Sequence, residues 1–264
     1  MSVLVYDAWR AAEGSGRVTA PGIADVADGV ASASDGDLLL VSGGTATRAV
    51  RIALGSMRRP GVAHVELVGS PTRRYLLGYA LRHLPPEGYG YADAVLTAVA
   101  AASTTCVLLS SVAGLESPTP GLGYHLASWL PGSSFAVDLG SGRIQRLRHT
   151  TLALPVGPFG VIAEQWPANR EVVVDPLPPA LVTLRGPDDA APWRAARWLE
   201  TTVVSRPVAD LVQHVLYEAA ARPCPSCGRS VVGLRCLFCC IGVAERERAV
   251  PAPTSRTLEK EPTR

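Results

Sequence analysis

The chain has 264 residues, 47% of them apolar and 18% charged, with a formal net charge of +2. That length can bury a sizeable core, and the composition is globular rather than disordered. So small a net charge argues against a polyanionic partner, and an arginine-rich basic set with one lysine, Lys260, reads as coding bias rather than a nucleic-acid footprint.

The first residues, Met1-Ser-Val-Leu-Val, lack a basic region and a long apolar run, so no secretory leader is expected and the default address is the cytoplasm. Residues 1–34 read as an adaptor with a short helical stretch around 6–12. Asp35-Gly36-Asp37 is a turn that opens an apolar strand over 38–41. An amphipathic helix over 46–54 follows, then strands over 62–68 and 74–80, ending at His83-Leu-Pro-Pro86. A helix is predicted over 92–101. Ser103-Thr104-Thr105 suits a cap, so a second helix is predicted to start there and run to Ala113, with Gly114 closing it. Residues 94–115 carry no charge over a length that could span a bilayer. They are rich in Ala, Ser and Thr, however, so a buried helix pair is expected and no membrane contact.

Beyond a Pro-rich hinge at 117–121, a hairpin over 135–147 turns at Gly140-Ser-Gly142. Strands are predicted over 159–165, 171–174 and 181–184, and helices over 192–203 and 207–221, with Asp188-Asp189 as a cap pair before the first. The last residues, from 243, suit a disordered tail.

Five of the six cysteines fall within seventeen residues: Cys224-Pro-Ser-Cys227, then Cys236-Leu-Phe-Cys239-Cys240. Two Cys-x-x-Cys turns offer four thiolates at tetrahedral reach, which points to structural zinc held by Cys224, Cys227, Cys236 and Cys239. Cys240 is a spare that could replace Cys239. The bland alternatives are reduced thiols without metal or a pair of disulfides. Gly228, just after the second thiol, supplies the φ > 0 freedom such a turn needs.

Cys106 stands outside the cluster. At a helix start its thiolate would be favoured, and a base on a neighbouring strand would complete a nucleophile. His64 is the candidate base, with Glu66, two residues on and on the same strand face, to orient it. The bland reading is a small buried thiol and a satisfied core histidine. His83, His125, His149 and His214 lack partners at ligand spacing. Gly43-Gly44-Thr45 lacks the Lys-Ser/Thr of a phosphate loop and is set aside.

The order Gly36-Asp-Leu-Leu-Leu-Val41, Val62-Ala-His-Val-Glu-Leu-Val68, Tyr89/Tyr91 and Thr105-Cys-Val-Leu-Leu resembles the permuted NlpC/P60-type papain-like family over residues 35–125. The cysteine run resembles a short zinc ribbon. The first resemblance implies a histidine preceding its cysteine, with His64 as base and Cys106 as nucleophile for amide or ester chemistry. Three positions depart from the family pattern. Ala63 stands before the histidine and Val107 after the cysteine, and the third strand, 75–79, offers no carboxylate, His or Asn.

The expected architecture is α+β: a papain-like core of strands on helices (35–128), a β-rich then helical segment (129–222), a zinc-ribbon knob (223–242) and a tail (243–264). The expected function is a cysteine-dependent hydrolase or acyltransferase working through a Cys106 thioester on a macromolecular substrate. The alternative is a non-enzymatic interaction protein, an inactive papain-like scaffold presenting the knob to a protein partner rather than to nucleic acid.

Overall fold

The computed structural model describes residues 3–7, 9–11, 21–33, 36–57, 59–147, 151–165, 173–185 and 192–243. The expectations for Asp188-Asp189, His149 and the tail beyond Val243 lie outside them.

The N-terminal part alternates strand and helix. β1 (Val3–Tyr6) is followed by the short β2 (Arg10–Ala11), α1 (Ile23–Ser32), β3 (Leu38–Gly43), α2 (Ala46–Ser56), β4 (Val62–Leu67) and α3 (Pro71–Leu81). Strands β1, β3 and β4 form a wholly parallel three-stranded sheet in that order. β3 is buried along its whole length, as a central parallel strand requires, and its continuous apolar run gives that away in the sequence.

A 3₁₀ turn (Pro86–Tyr91) and α4 (Ala92–Ala101) lead into β5 (Ser103–Leu109) and the short α5 (Leu122–Ala127). Six strands follow: β6 (Ser134–Asp138), β7 (Arg143–Leu147), β8 (Thr151–Ala153), β9 (Phe159–Gln165), β10 (Val173–Asp175) and β11 (Ala180–Arg185). The chain then runs through β12 (Trp198–Val204), α6 (Val208–Glu218), β13 (Arg222–Pro223) and β14 (Ser230–Val231). Seven strands make one large sheet in the order β2-β11-β9-β12-β5-β6-β7, antiparallel except between β9 and β11.

The two sheets share one core. Leu39, Val41, Ala63 and Val65 of the small sheet and Val107, Val137, Val161 and Val204 of the large one belong to a single buried cluster, with Leu76, Leu77 and Ala80 of α3 between them. Opposite faces of each sheet have cores of their own. Leu38 and Leu40 pack under Val26 of α1 and Val50 of α2, and Leu108 and Leu199 pack under Leu152.

The α+β class is therefore observed, but not a papain-like core. Four segments differ from the expected elements. In place of the short helix expected around 6–12, the described residues end β1 at Tyr6 and form β2 at Arg10–Ala11. Residues 103–109 form a central strand, because Thr104, Thr105 and Val107 are β-branched and the run is buried on both faces. Residues 71–81 are a helix: Ser70-Pro71 is a helix start with proline at the first position, and it outweighs the aromatic, strand-like composition. Trp198–Val204 is a fully buried strand rather than part of a helix. No described helix is long and apolar enough to cross a membrane, and residues 94–115 divide between α4 and β5.

Candidate functional site

The structure separates the expected catalytic residues. Cys106 lies mid-strand in β5, paired with Thr201 and Asp138, and its side chain packs with Leu108, Leu152 and Ile162 on the outer face of the large sheet. Burial, aided by the nearby Asp138 carboxylate, pushes its thiol up to about 11. No helix start activates it.

His64 lies in β4 on the face opposite Ala63 and Val65, which means away from the shared core and from α3. Its Nε2 bonds Ser42 Oγ at 2.8 Å, and Ser42 in turn donates to Thr47 Oγ1. Burial holds the imidazole below its ordinary pKa, Glu66 raising it and Arg51 lowering it by smaller amounts. Glu66 does not orient the ring; it pairs with Arg51 of α2. Cys106 and His64 thus face outward from two different sheets, with the α3 layer between. The thioester mechanism and the papain-like scaffold, including its non-enzymatic alternative, are corrected by this arrangement.

What the fold does gather is a set of polar loops at the carboxyl ends of β1, β3 and β4. Asp7 follows β1, Gly43-Gly44 ends β3, and Gly69-Ser70 leads from β4 into α3. Arg74, on the first turns of α3, forks onto Asp7 (Nε to Oδ2 2.7 Å, NH2 to Oδ1 3.2 Å) and donates its third nitrogen to the Gly69 carbonyl at 2.6 Å. The Asp7 and Arg74 side chains are only 9% and 11% exposed. Asp7 also accepts the Trp9 amide. A β-carbon on Gly43 would collide with the Asp7 carboxylate and Arg74, so glycine is required for this close approach.

Two clefts meet at Trp9 and Arg74. One, of about 690 Å³, is lined by Val5, Trp9, Leu67, Tyr75 and Tyr79 with Asp7, Arg74 and Arg82. The other, of about 580 Å³, lies between Ser70, Pro71 and Trp193, with Ser117 and Leu139 on its rim. Sequence reasoning missed both. The signals were present in the Asp turn after the first apolar run, the Gly-Gly after the second, and Ser-Pro before α3.

The cysteine knob is assembled as its spacing indicates. Sγ atoms of Cys224, Cys227, Cys236 and Cys239 all lie within 4.8 Å of one another, with Cys224 to Cys239 at 3.5 Å and Cys227 to Cys236 at 3.6 Å. Tetrahedral zinc–thiolate bonds of about 2.3 Å require sulfurs about 3.8 Å apart, so the donor set fits a metal. The Arg229 backbone amide, helped by its guanidinium and against the effect of burial, draws the Cys227 thiol down to about 6. Cys240 is exposed and outside the cluster. It occupies, in the second turn, the position Gly228 holds in the first: both follow the second cysteine and both have positive φ (59° and 74°). The knob is tied to the body by Arg229, which forks onto Asp37 at 2.7 and 2.6 Å while lying over the Phe238 ring.

The chain is thus an α+β protein whose polar loops collect at the carboxyl edge of a parallel sheet, with a four-cysteine knob anchored to Asp37 at the amino end of β3. No protein-family model matches the sequence, and no curated protein does. Among solved structures it is similar to a DegV family protein from Thermus thermophilus, described as fatty-acid-binding (TM-score 0.46, 10% identity, 70% of this chain and 77% of that one). It is also similar to the Streptococcus pneumoniae fatty acid kinase B3 protein loaded with linoleic acid (0.45, 11%, 70% and 76%). A third is a DegV family protein from Eubacterium eligens loaded with heptadecanoic acid (0.44, 11%, 73% and 82%). These are not NlpC/P60-type proteins, and likeness of this degree gives no residue of this chain a role.

Proposed function

We propose that the chain is a non-catalytic binding protein for one small amphipathic molecule, its polar end at the Asp7–Arg74 fork and its apolar part along the adjoining clefts. The observation that carries this is the meeting of both clefts beside the carboxyl ends of β1 and β4 in the parallel sheet. Open α/β sheets take their ligands there, because the loops present side chains and free backbone groups around a crevice. The clefts, at about 690 and 580 Å³, are of ligand size, and their walls mix aromatic and aliphatic side chains with polar ones in about equal measure, as an amphipathic molecule requires. Among the described residues no cysteine or histidine lines either cleft.

A long-chain fatty acid has this amphipathic chemistry and serves as the probe. Titration with cis-parinaric acid should give saturable fluorescence at about one molecule per chain, as expected for a pocket of this size. Ser117→Trp, an exposed rim position, should abolish it by filling the cleft. Absence of saturable binding, with no lipid retained in native mass spectrometry of the purified protein, would withdraw the proposal.

The knob is proposed to hold structural zinc. Four thiolates leave the ion no open position for substrate, so its contribution is to fold the two turns. Metal analysis should find about one zinc per chain, lost in Cys224→Ser.

A further inference from the structure

Glu200 stands in the middle of β12 and is completely buried. It has Val107 of β5 and Ala163 of β9 beside it in register, and it faces the helix layer together with Trp198 and Val204. A carboxylate in such a place needs partners, and it has three donors. One oxygen accepts the Thr72 amide at 2.8 Å and the Thr72 hydroxyl; the other accepts the Trp193 indole N–H at 2.9 Å. Thr72 is the second residue of α3, so Glu200 caps that helix from another strand where Ser70 makes no capping bond. Because Thr72 donates to Glu200, Thr202 must donate to Thr72, and Thr105 to Thr202, over links of 2.6 and 2.8 Å. With Glu200 ionised, every donor in the chain points toward it.

We infer that Glu200 is a positioning residue for the ligand cleft: one ionised carboxylate fixes both the first turn of α3 and the Trp193 indole, two walls of the same crevice. This rests on the cleft reading above. The geometry is specific, since Ser70, Pro71 and Trp193 all line the 580 Å³ cleft and Glu200 is the link between them behind its surface. Protonation would disturb it. A proton on one oxygen takes the acceptor from Trp193, and on the other it takes the acceptor from Thr72. Burial raises the carboxyl pKa against the hydroxyl and amide donors that lower it. The groups facing it from α3, β5, β12 and the Trp193 segment are the hydroxyls of Ser70, Thr72, Thr105 and Thr202, one amide and one indole. None is charged. Ionisation is therefore lost at a higher pH than for an exposed glutamate, and the latch loosens as the pH falls.

The test is fluorine NMR of ligand-free protein labelled with 5-fluorotryptophan, the Trp193 resonance being assigned by Trp193→Phe. Between about pH 8 and pH 4 that resonance should titrate in the wild type and stay fixed in Glu200→Gln, while the other four tryptophans do not follow it. Parinaric acid should bind about tenfold more weakly to both variants, the worth of one hydrogen bond to a charged group. A Trp193 resonance indifferent to pH, or variants that bind as the wild type does, would overturn the inference. If Glu200→Gln does not fold, the wild-type titration and Trp193→Phe decide alone. A protein that binds no probe in any form defeats the cleft reading and the positioning role with it. The fluorine titration, made without ligand, still reports separately whether Glu200 holds the indole.

Discussion

Two arginine–aspartate forks hold this molecule together, and they are chemically alike. Arg74 grips Asp7 where the two clefts meet, and Arg229 grips Asp37 at the base of the knob. Their surroundings differ: the first pair is 11% and 9% exposed, the second 30% and 29%. Removing one partner of a buried pair strands a charge in low dielectric, whereas water takes over the lost partner of a half-exposed one. The same geometry is thus a rigid fixture in one region and a moderate tether in the other.

The largest expected effect lies beyond either fork. Chelation of the proposed zinc, or Cys224→Ser, should unfold the knob outright, because apparent zinc affinity in such sites is folding free energy. Loss of zinc from purified protein, with the rest of the circular dichroism spectrum retained, would be the measurement. Next, Asp7→Ala should cost about 3–5 kcal/mol in denaturant unfolding, since the Arg74 guanidinium is left buried and unpaired. Asp37→Ala should cost only about 1 kcal/mol. Equal costs for the two substitutions would break the distinction drawn from burial. The smallest change is a gain. Cys240→Gly should stabilise by about 0.5–1 kcal/mol by relieving a left-handed backbone at a residue with a β-carbon, while leaving zinc content unchanged.

The two regions were not equally legible. The knob's four sulfurs come from two local turns, so spacing alone placed Cys224, Cys227, Cys236 and Cys239 together, and the structure brings the same four within reach. The spacing left Cys240 in competition with Cys239, and the structure leaves Cys240 exposed and outside the cluster. The cleft draws on Asp7, Gly43 and Arg74, which are far apart in sequence and unremarkable one by one. Only the parallel pairing of β1, β3 and β4 brings their loops to one edge. Cys106 shows the opposite failure. Ser103-Thr104-Thr105 can cap a helix or begin a strand, and the choice was made by burial between β12 and β6, which no local pattern records. Once those residues form a strand, alternation sends the thiol to the outer face, away from His64.

One consequence concerns how this architecture can change over evolutionary time. Helix α3 gives one side to the parallel sheet and the other to the large sheet, so neither half owns it. A recombination that exchanged one half for a foreign module would leave an apolar flank of that helix bare. The C-terminal knob is bound into the same centre, since Leu237 and Phe238 pack against that core and Ser230 sits where any side chain on Gly90 would lie.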